Sequence, residues 1–224
     1  MAVPVWGDIV SLAGGLAAGN FSATDLTRAY QTRIERYNPD LNAFTNVCRD
    51  VALAEAAASD ARREAGKTIG PLDGIPVAAK DNIAIAGLPW TAGMEVRRKI
   101  IATEDAFCIG RLRSAGAVLL GTLNMEEAAL GATTDNPHFG KTHNPHRHGY
   151  SPAGSSGGSG AAVAAALCAG ALGTDTLGSV RLPATYCGVV GLKPAFGRIS
   201  TRGVVPLSTR FDHVGPLTRS VRNN

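Results

Sequence analysis

From Gly149 to Thr174 the chain carries no charged residue, and most of this stretch is Gly, Ser or Ala. Its apolar run, Ala161 to Leu172, is too short to cross a bilayer, which takes ~20 residues in a helix. The segment therefore reads as a buried helix packed closely through small side chains. Burying it needs a sizeable core, and 224 residues at 23.0 kDa suffice for one large domain or two small ones.

Apolar residues make up 45% and charged residues only 18%, which excludes a solvated, disordered tail. The net charge of +4 is concentrated late in the chain. From Gly191 onward Lys193, Arg198, Arg202, Arg210, Arg219 and Arg222 face a single Asp212, so the first 190 residues net −1. These cations lack the regular aromatic interleaving of a nucleic-acid track, with only Phe196 and Phe211 among them, so a solvated face is expected. Cys48, Cys108, Cys168 and Cys187 form no C-x-x-C pair, which argues against a zinc ribbon or redox motif. They read as reduced thiols in a cytoplasmic protein. The first basic residue is Arg28, so the N-terminus does not read as a secretory leader.

The chain changes texture at Gly70-Pro71. Before it, Ser22 and Asp25 suggest a capping box, and Leu26, Tyr30, Ile34 and Tyr37 continue a helix to Pro39. A second, alanine-rich helix is expected from about Val51 to Ala65. After Pro71, apolar runs at Ile75–Ala79, Ala117–Leu120, Ala171–Gly173 and Val189–Leu192 alternate with helical patterns. Those patterns are Ala106–Ser114, Met125–Leu130 and Gly158–Ala169. Strands alternating with helices predict an α/β fold: a mixed sheet flanked by helices. A helical segment over residues 1–70 would lead into a catalytic region over 71–224. Beyond Gly215-Pro216, read as a turn, no closing element is evident.

Three patterns invite other functions. Ala61–Thr68 fits a relaxed phosphate-loop pattern, but a charged helix precedes Gly66, which reads as a helix end. Gly154-Ser155-Ser156-Gly157-Gly158 fits the nucleophile elbow with Ser156 at its apex, yet a loop and not a strand leads into it. Asp212 and His213 follow in triad order, but adjacent residues rarely serve as orienter and base of one triad. His138, His143, His146 and His148 lie among Pro and Gly residues, with no regular element to preset metal geometry.

Two segments resist a purely structural reading. Gly74–Asn82 ends an apolar strand on Lys80, and lysines are almost never buried unless paired or chemically used. In Gly154–Ser159 and again in Gly173–Ala184, glycines adjoin hydroxyls before a helix. That pattern exposes a serine oxygen beside free N–H groups, which acyl transfer requires.

From about Pro71 to Thr218 these segments, with the block Cys187–Pro194, resemble the amidase signature hydrolases. The resemblance implies a Ser–cis-Ser–Lys triad: Ser179 as nucleophile, Ser155 as the bridging serine after a cis peptide, and Lys80 as base. It implies an oxyanion hole from the backbone N–H groups of Thr176, Leu177, Gly178 and Ser179. Ser156, Asp175 and Arg181 would support it, the last two fixing the loop. The chemistry is self-consistent. A serine needs a base, and lysine serves only when neutral, which burial favours by lowering its pKa from about 10.4. No cofactor and no metal are expected.

Two residues depart from the commonest pattern. Leu177 and Ala153 stand where glycine is usual, and leucine cannot easily take a positive φ. Members of the family are also about twice as long, so this chain reads as an N-terminal part. The leading expectation is an amidase cleaving a small-molecule carboxamide, with a homodimer as one arrangement. A second is the glutaminase component of the tRNA-dependent amidotransferase, its A subunit, working with partner subunits. Gly131–Asn136 and Phe139-Gly140 suggest it. Against it, Leu182 replaces a common glutamine and Phe211-Asp212-His213 a Leu-Asp-Gln. A third is a non-catalytic binding module. Neither membrane nor nucleic-acid contact is expected.

Overall fold

The computed structural model describes residues 3–224. Helix α1 (Ile9–Ala17) starts at Asp8, whose carboxylate accepts the Ser11 N–H. Helix α2 (Ala23–Leu41) opens on the expected capping box of Ser22 and Asp25. It runs past Pro39, where the sequence pattern predicts a stop. Pro39 lies in the last turn and withholds a single N–H, while Asn42 enters the left-handed region and donates to Asn38 C=O at 2.7 Å. Strand β1 (Phe44–Val47) then leads to α3 (Arg49–Glu64), and Gly66 follows at φ +66°. The phosphate-loop look-alike is thus the end of a helix.

The remaining elements are β2 (Pro76–Lys80), α4 (Phe107–Ser114), β3 (Val118–Leu123), β4 (Asp135–Asn136), β5 (Gly140–Lys141), α5 (Gly157–Ala164), β6 (Gly170–Asp175), α6 (Arg181–Tyr186), β7 (Val190–Gly191) and β8 (His213–Thr218). Six strands form one mixed sheet in the order β1-β3-β2-β6-β8-β7, and β4 and β5 form a separate two-stranded pair. The three central strands are parallel, so Leu123, Lys80 and Asp175 end on one edge of the sheet. β8 runs antiparallel to β6 and begins at that edge with His213.

Three further expectations need correction. Met125–Leu130 makes only a single 3-10 turn at Glu127–Ala129, because Ala128 and Ala129 have φ of +50° and +60° and an α-helical ladder cannot form there. The helix expected to reach Ala169 stops at Ala164, and Ala166 at φ +52° turns the chain toward β6. Gly215-Pro216 is no turn: it lies inside β8, the strand between β6 and β7. Gly215 faces Leu192 C=O so closely that a Cβ would collide with it, and Pro216 C=O accepts the Leu192 N–H.

The main hydrophobic core runs from Leu12 to Leu217, with a smaller cluster at Ala92, Met125 and Ala129, and β1 brings the first seventy residues into the sheet. The uncharged stretch supplies α5, buried along nearly its whole length. It comes so close to its neighbours that a Cβ on Gly158 would strike the Asn124 and Ala43 carbonyls. Small residues are therefore a steric requirement at this position, which explains the composition of the stretch. No helix among the described residues is long and apolar enough to cross a membrane.

Candidate active site

The edge where the parallel strands end gathers the candidate residues. Lys80, the last residue of β2, is fully buried, and its Nζ donates to Ser155 Oγ at 2.7 Å and to Thr174 Oγ1 at 2.9 Å. Ser155 follows a cis Gly154–Ser155 peptide and is itself fully buried. Its C=O accepts the Glu126 N–H, which ties this loop to the segment after β3. Burial pulls the Lys80 pKa down to about 7, although the carboxylates of Asp175, Asp212 and Glu126 pull the other way. The shift favours the neutral amine, the form that can accept a proton.

Ser179 lies at the turn after β6, half-buried, and its C=O accepts the Ser156 N–H at 3.2 Å. Among the described residues its Oγ makes no hydrogen bond to Ser155 or Lys80. Ser156 is tied elsewhere: its Oγ donates to Thr174 C=O and accepts the Thr174 N–H. Held between these two backbone groups at the start of α5, Ser156 stitches the serine loop to β6.

Asp175 organises the turn. Its carboxylate accepts the Gly178 N–H at 2.8 Å, the Val180 N–H at 3.1 Å and two guanidinium N–H groups of Arg181 at 3.0 Å each. Burial alone would raise the Asp175 pKa, but the bonds from Arg181, Val180 and Gly178 outweigh it and hold the carboxyl below its ordinary range. This revises the expected donor set. Gly178 N–H is committed to Asp175, whereas Thr176, Leu177 and Ser179 N–H have no partner among the described residues. The two glycine replacements also resolve differently. Gly178, at φ +126°, takes the left-handed region, and Leu177 does not. Ala153 does take it, at φ +61°.

Three residues have no role at this centre in the sequence reading, where Asp212 is weighed only beside His213. Thr174 Oγ1 accepts from Lys80 and also from Asn82 Nδ2 at 3.0 Å. Asp212 accepts the Thr176 hydroxyl at 2.5 Å and the Leu207 and Ser208 N–H groups, which fastens the loop before β8 to the turn. Asn82 sits in a Lys-Asp-Asn run and Asp212 beside a histidine, and neither spacing announces a contact.

The alternative constellations do not assemble. His213 Nδ1 lies 2.6 Å from Phe211 C=O and its Nε2 3.3 Å from Lys193 Nζ, so neither nitrogen serves Ser156 or Ser179. His143 stacks on His148 with ring centroids 4.0 Å apart, and His146 Nε2 bonds Cys187 C=O. Among the described residues no group of three or more His, Cys, Asp or Glu is arranged to hold a metal ion.

Known proteins resemble this chain in sequence and fold. The amidase family model matches residues 25–224, and the chain belongs to that family. It is 48% identical over 215 residues to the AtzE component of 1-carboxybiuret hydrolase from Pseudomonas sp. (strain ADP), covering 95% of this chain and 47% of that one. It is 43% identical to the A subunit of glutamyl-tRNA(Gln) amidotransferase from Methylococcus capsulatus, covering 96% of this chain and 44% of the relative. The structure of the peptide amidase of Stenotrophomonas maltophilia superimposes with a TM-score of 0.90 at 42% identity, over 96% of this chain and 46% of that chain. The chain thus spans about half the length of the relatives it matches.

Proposed function

We propose that the chain carries the acyl-transfer centre of an amidase, which cleaves a carboxamide C–N bond through a serine acyl-enzyme. The observation that carries this reading is the buried Lys80, 2.7 Å from Ser155 Oγ with its pKa drawn to about 7. A cation is not retained in a dry interior without use, and a neutral amine there is a competent base. Lys80 takes a proton through Ser155 from Ser179 Oγ, which attacks the carbonyl carbon. The negative oxygen that forms is met by the N–H groups of Thr176, Leu177 and Ser179. The proton then returns through Ser155 to the departing amine, and water repeats the cycle on the ester. Asp175 and Arg181 hold the turn, and Ser156 holds the serine loop against β6. No step calls for a metal or cofactor.

In this reading residues 71–224 form the N-terminal part of a cytoplasmic catalytic domain, preceded by the helical segment 1–70. A small-molecule amide is the substrate. A homodimer is compatible with the fold, and neither membrane nor nucleic acid is a partner. A second reading is the glutaminase component of an amidotransferase working with partner subunits. The 43% identity to such a component favours it, and Leu182 and Phe211-Asp212-His213 oppose it. A non-catalytic binding module is the third.

A fluorophosphonate probe tests the proposal. Mass spectrometry should find the adduct on Ser179 and none on Ser156. An adduct on Ser156 alone would sink the triad, and no adduct at all would favour the binding module. Ammonia release from glutamine that needs added partner subunits would favour the amidotransferase.

A further inference from the structure

Asn82 is almost fully buried, and its backbone is pinned twice: its C=O accepts the Val205 N–H and the Trp90 indole N–H, each at 2.9 Å. The side chain donates from Nδ2 to Thr174 Oγ1 at 3.0 Å and, at 3.5 Å, to Val205 C=O. Its Oδ1 has no hydrogen-bond partner among the described residues. A buried acceptor left unpaired is unfavourable, and an apolar side chain of similar shape would avoid that cost. The amide at this position therefore asks for a reason other than stability.

Thr174 supplies one. Its hydroxyl oxygen has two lone pairs and accepts from Asn82 on one side and from Lys80 Nζ on the other. With one lone pair filled by Asn82, the other is left directed at Lys80. This anchors one of the amine's N–H bonds and holds Nζ at 2.7 Å from Ser155 Oγ, the contact along which a proton would pass. Asn82 and Lys80 meet through one shared oxygen, so the amide lies within about 6 Å of the amine.

We infer that Asn82 is a positioning residue: acting through Thr174, it orients Lys80 and, being neutral, leaves the amine free to lose its proton. The inference rests on Lys80 as the base. The charges that already face Lys80 are Asp175 at the end of β6, Asp212 at the start of β8 and Glu126 after β3, with Asp81 adjacent in sequence. A further carboxylate beside Thr174 would add to those that hold the proton on.

The test is Asn82→Asp and Asn82→Leu in the intact protein, read in two ways. Lys80 is titrated directly by NMR after isotopic labelling of lysine side chains, with Lys80→Met assigning its signal. The rate of fluorophosphonate labelling is followed across pH in parallel. Asn82→Asp should raise the Lys80 midpoint by about one pH unit or more and carry the labelling limb up with it. Asn82→Leu should lower the labelling plateau about tenfold, and Thr174→Ser should retain a near-normal profile where Thr174→Val does not. An Asn82→Asp protein whose Lys80 midpoint stays at the wild-type value would overturn the inference, whatever its activity. The same measurement separates the two levels: a Lys80 signal that responds to Asn82 in a protein that never labels Ser179 would retain this inference and reject the acyl-enzyme. Should Asn82→Leu fail to fold, the near-isosteric Asn82→Asp still decides.

Discussion

The two sides of the candidate centre are built on opposite principles. On the base side Lys80, Ser155, Thr174 and Asn82 are all at most 4% exposed and joined by hydrogen bonds. On the proposed nucleophile side the turn Thr176–Ser179 is more open, with Leu177 86% exposed, and it is held by hydrogen bonds to the Asp175 and Asp212 carboxylates and from the Ser156 N–H. Dryness is what alters Lys80's proton affinity, so that side must be closed. In the proposed reaction the other side admits the substrate, and its order comes mainly from fixed hydrogen bonds. Damage to the first side should change protonation and stability together, and damage to the second should change rate with little else.

The largest expected effects set these sides against each other. Ser179→Ala should abolish probe labelling, a loss of about 10⁴-fold or more, with stability within ~0.5 kcal/mol of wild type. Lys80→Met should lose labelling to a similar degree yet gain roughly 2 kcal/mol at neutral pH, because a buried amine far from water is replaced by an apolar chain of similar length. Denaturant titration beside labelling kinetics checks both. A Lys80→Met protein that is markedly less stable would show that the amine is structural.

The pH dependence follows from the same burial. Labelling should rise with pH through about 7, where the buried Lys80 gives up its proton, and Lys80→Ala should lack that limb while His213→Ala keeps it. For stability the sign also follows. The Lys80 pKa is lower folded than unfolded, so between about pH 7 and 10.5 the unfolded chain binds the extra proton and stability rises with pH. Below about 7 both states are protonated and this slope vanishes. Urea titrations of wild type and Lys80→Met across that window should diverge in slope.

On the open side, Arg181→Lys should slow labelling by about 10–100-fold for probes of any charge, because lysine cannot donate two fixed N–H bonds to Asp175. An effect confined to acidic probes would instead mark Arg181 as a substrate anchor. A smaller, opposite effect is expected behind it. Ala153 holds φ +61° in the loop before Ser155, so Ala153→Gly should stabilise by about 1 kcal/mol, measured by denaturant unfolding.

What could be read from the sequence divides along similar lines. Lys80 and the serine-glycine segments stood out by local pattern, a lysine ending an apolar strand and serines among glycines, while the choice of Ser155 and Ser179 among those serines came from the family resemblance. Thr174 and Asn82 did not stand out, since their roles exist only after β6 is laid beside β2. The capture of Gly178 N–H by Asp175 is likewise a matter of turn geometry, with no signature in the residues between them. In the fold, the α/β alternation was plain, while β1 and β8 were missed. β1 is only four residues with a polar centre, and β8 carries Gly215-Pro216, a pair that ordinarily marks a turn. Met125–Leu130 misled in the opposite sense: its alanines favour a helix, yet Ala128 and Ala129 take positive φ.

The smallest effect belongs to Leu177, and it sharpens the contrast most finely. The residue type alone suggests strain there, because glycine is the commoner residue and a positive φ would penalise leucine. The backbone does not take that region at Leu177; the left-handed residue is Gly178. The side chain is also almost wholly exposed, so little packing is lost on truncation. Leu177→Ala should therefore change stability by less than ~0.5 kcal/mol and leave labelling by a small alkyl fluorophosphonate within about threefold. Its N–H survives the substitution, so oxyanion stabilisation is kept. Discrimination should shift instead: bulky acyl-mimicking probes should gain relative to small ones if Leu177 narrows the acyl side. A tenfold fall with every probe would mean that the leucine orders the turn, and the open side would then depend on packing after all.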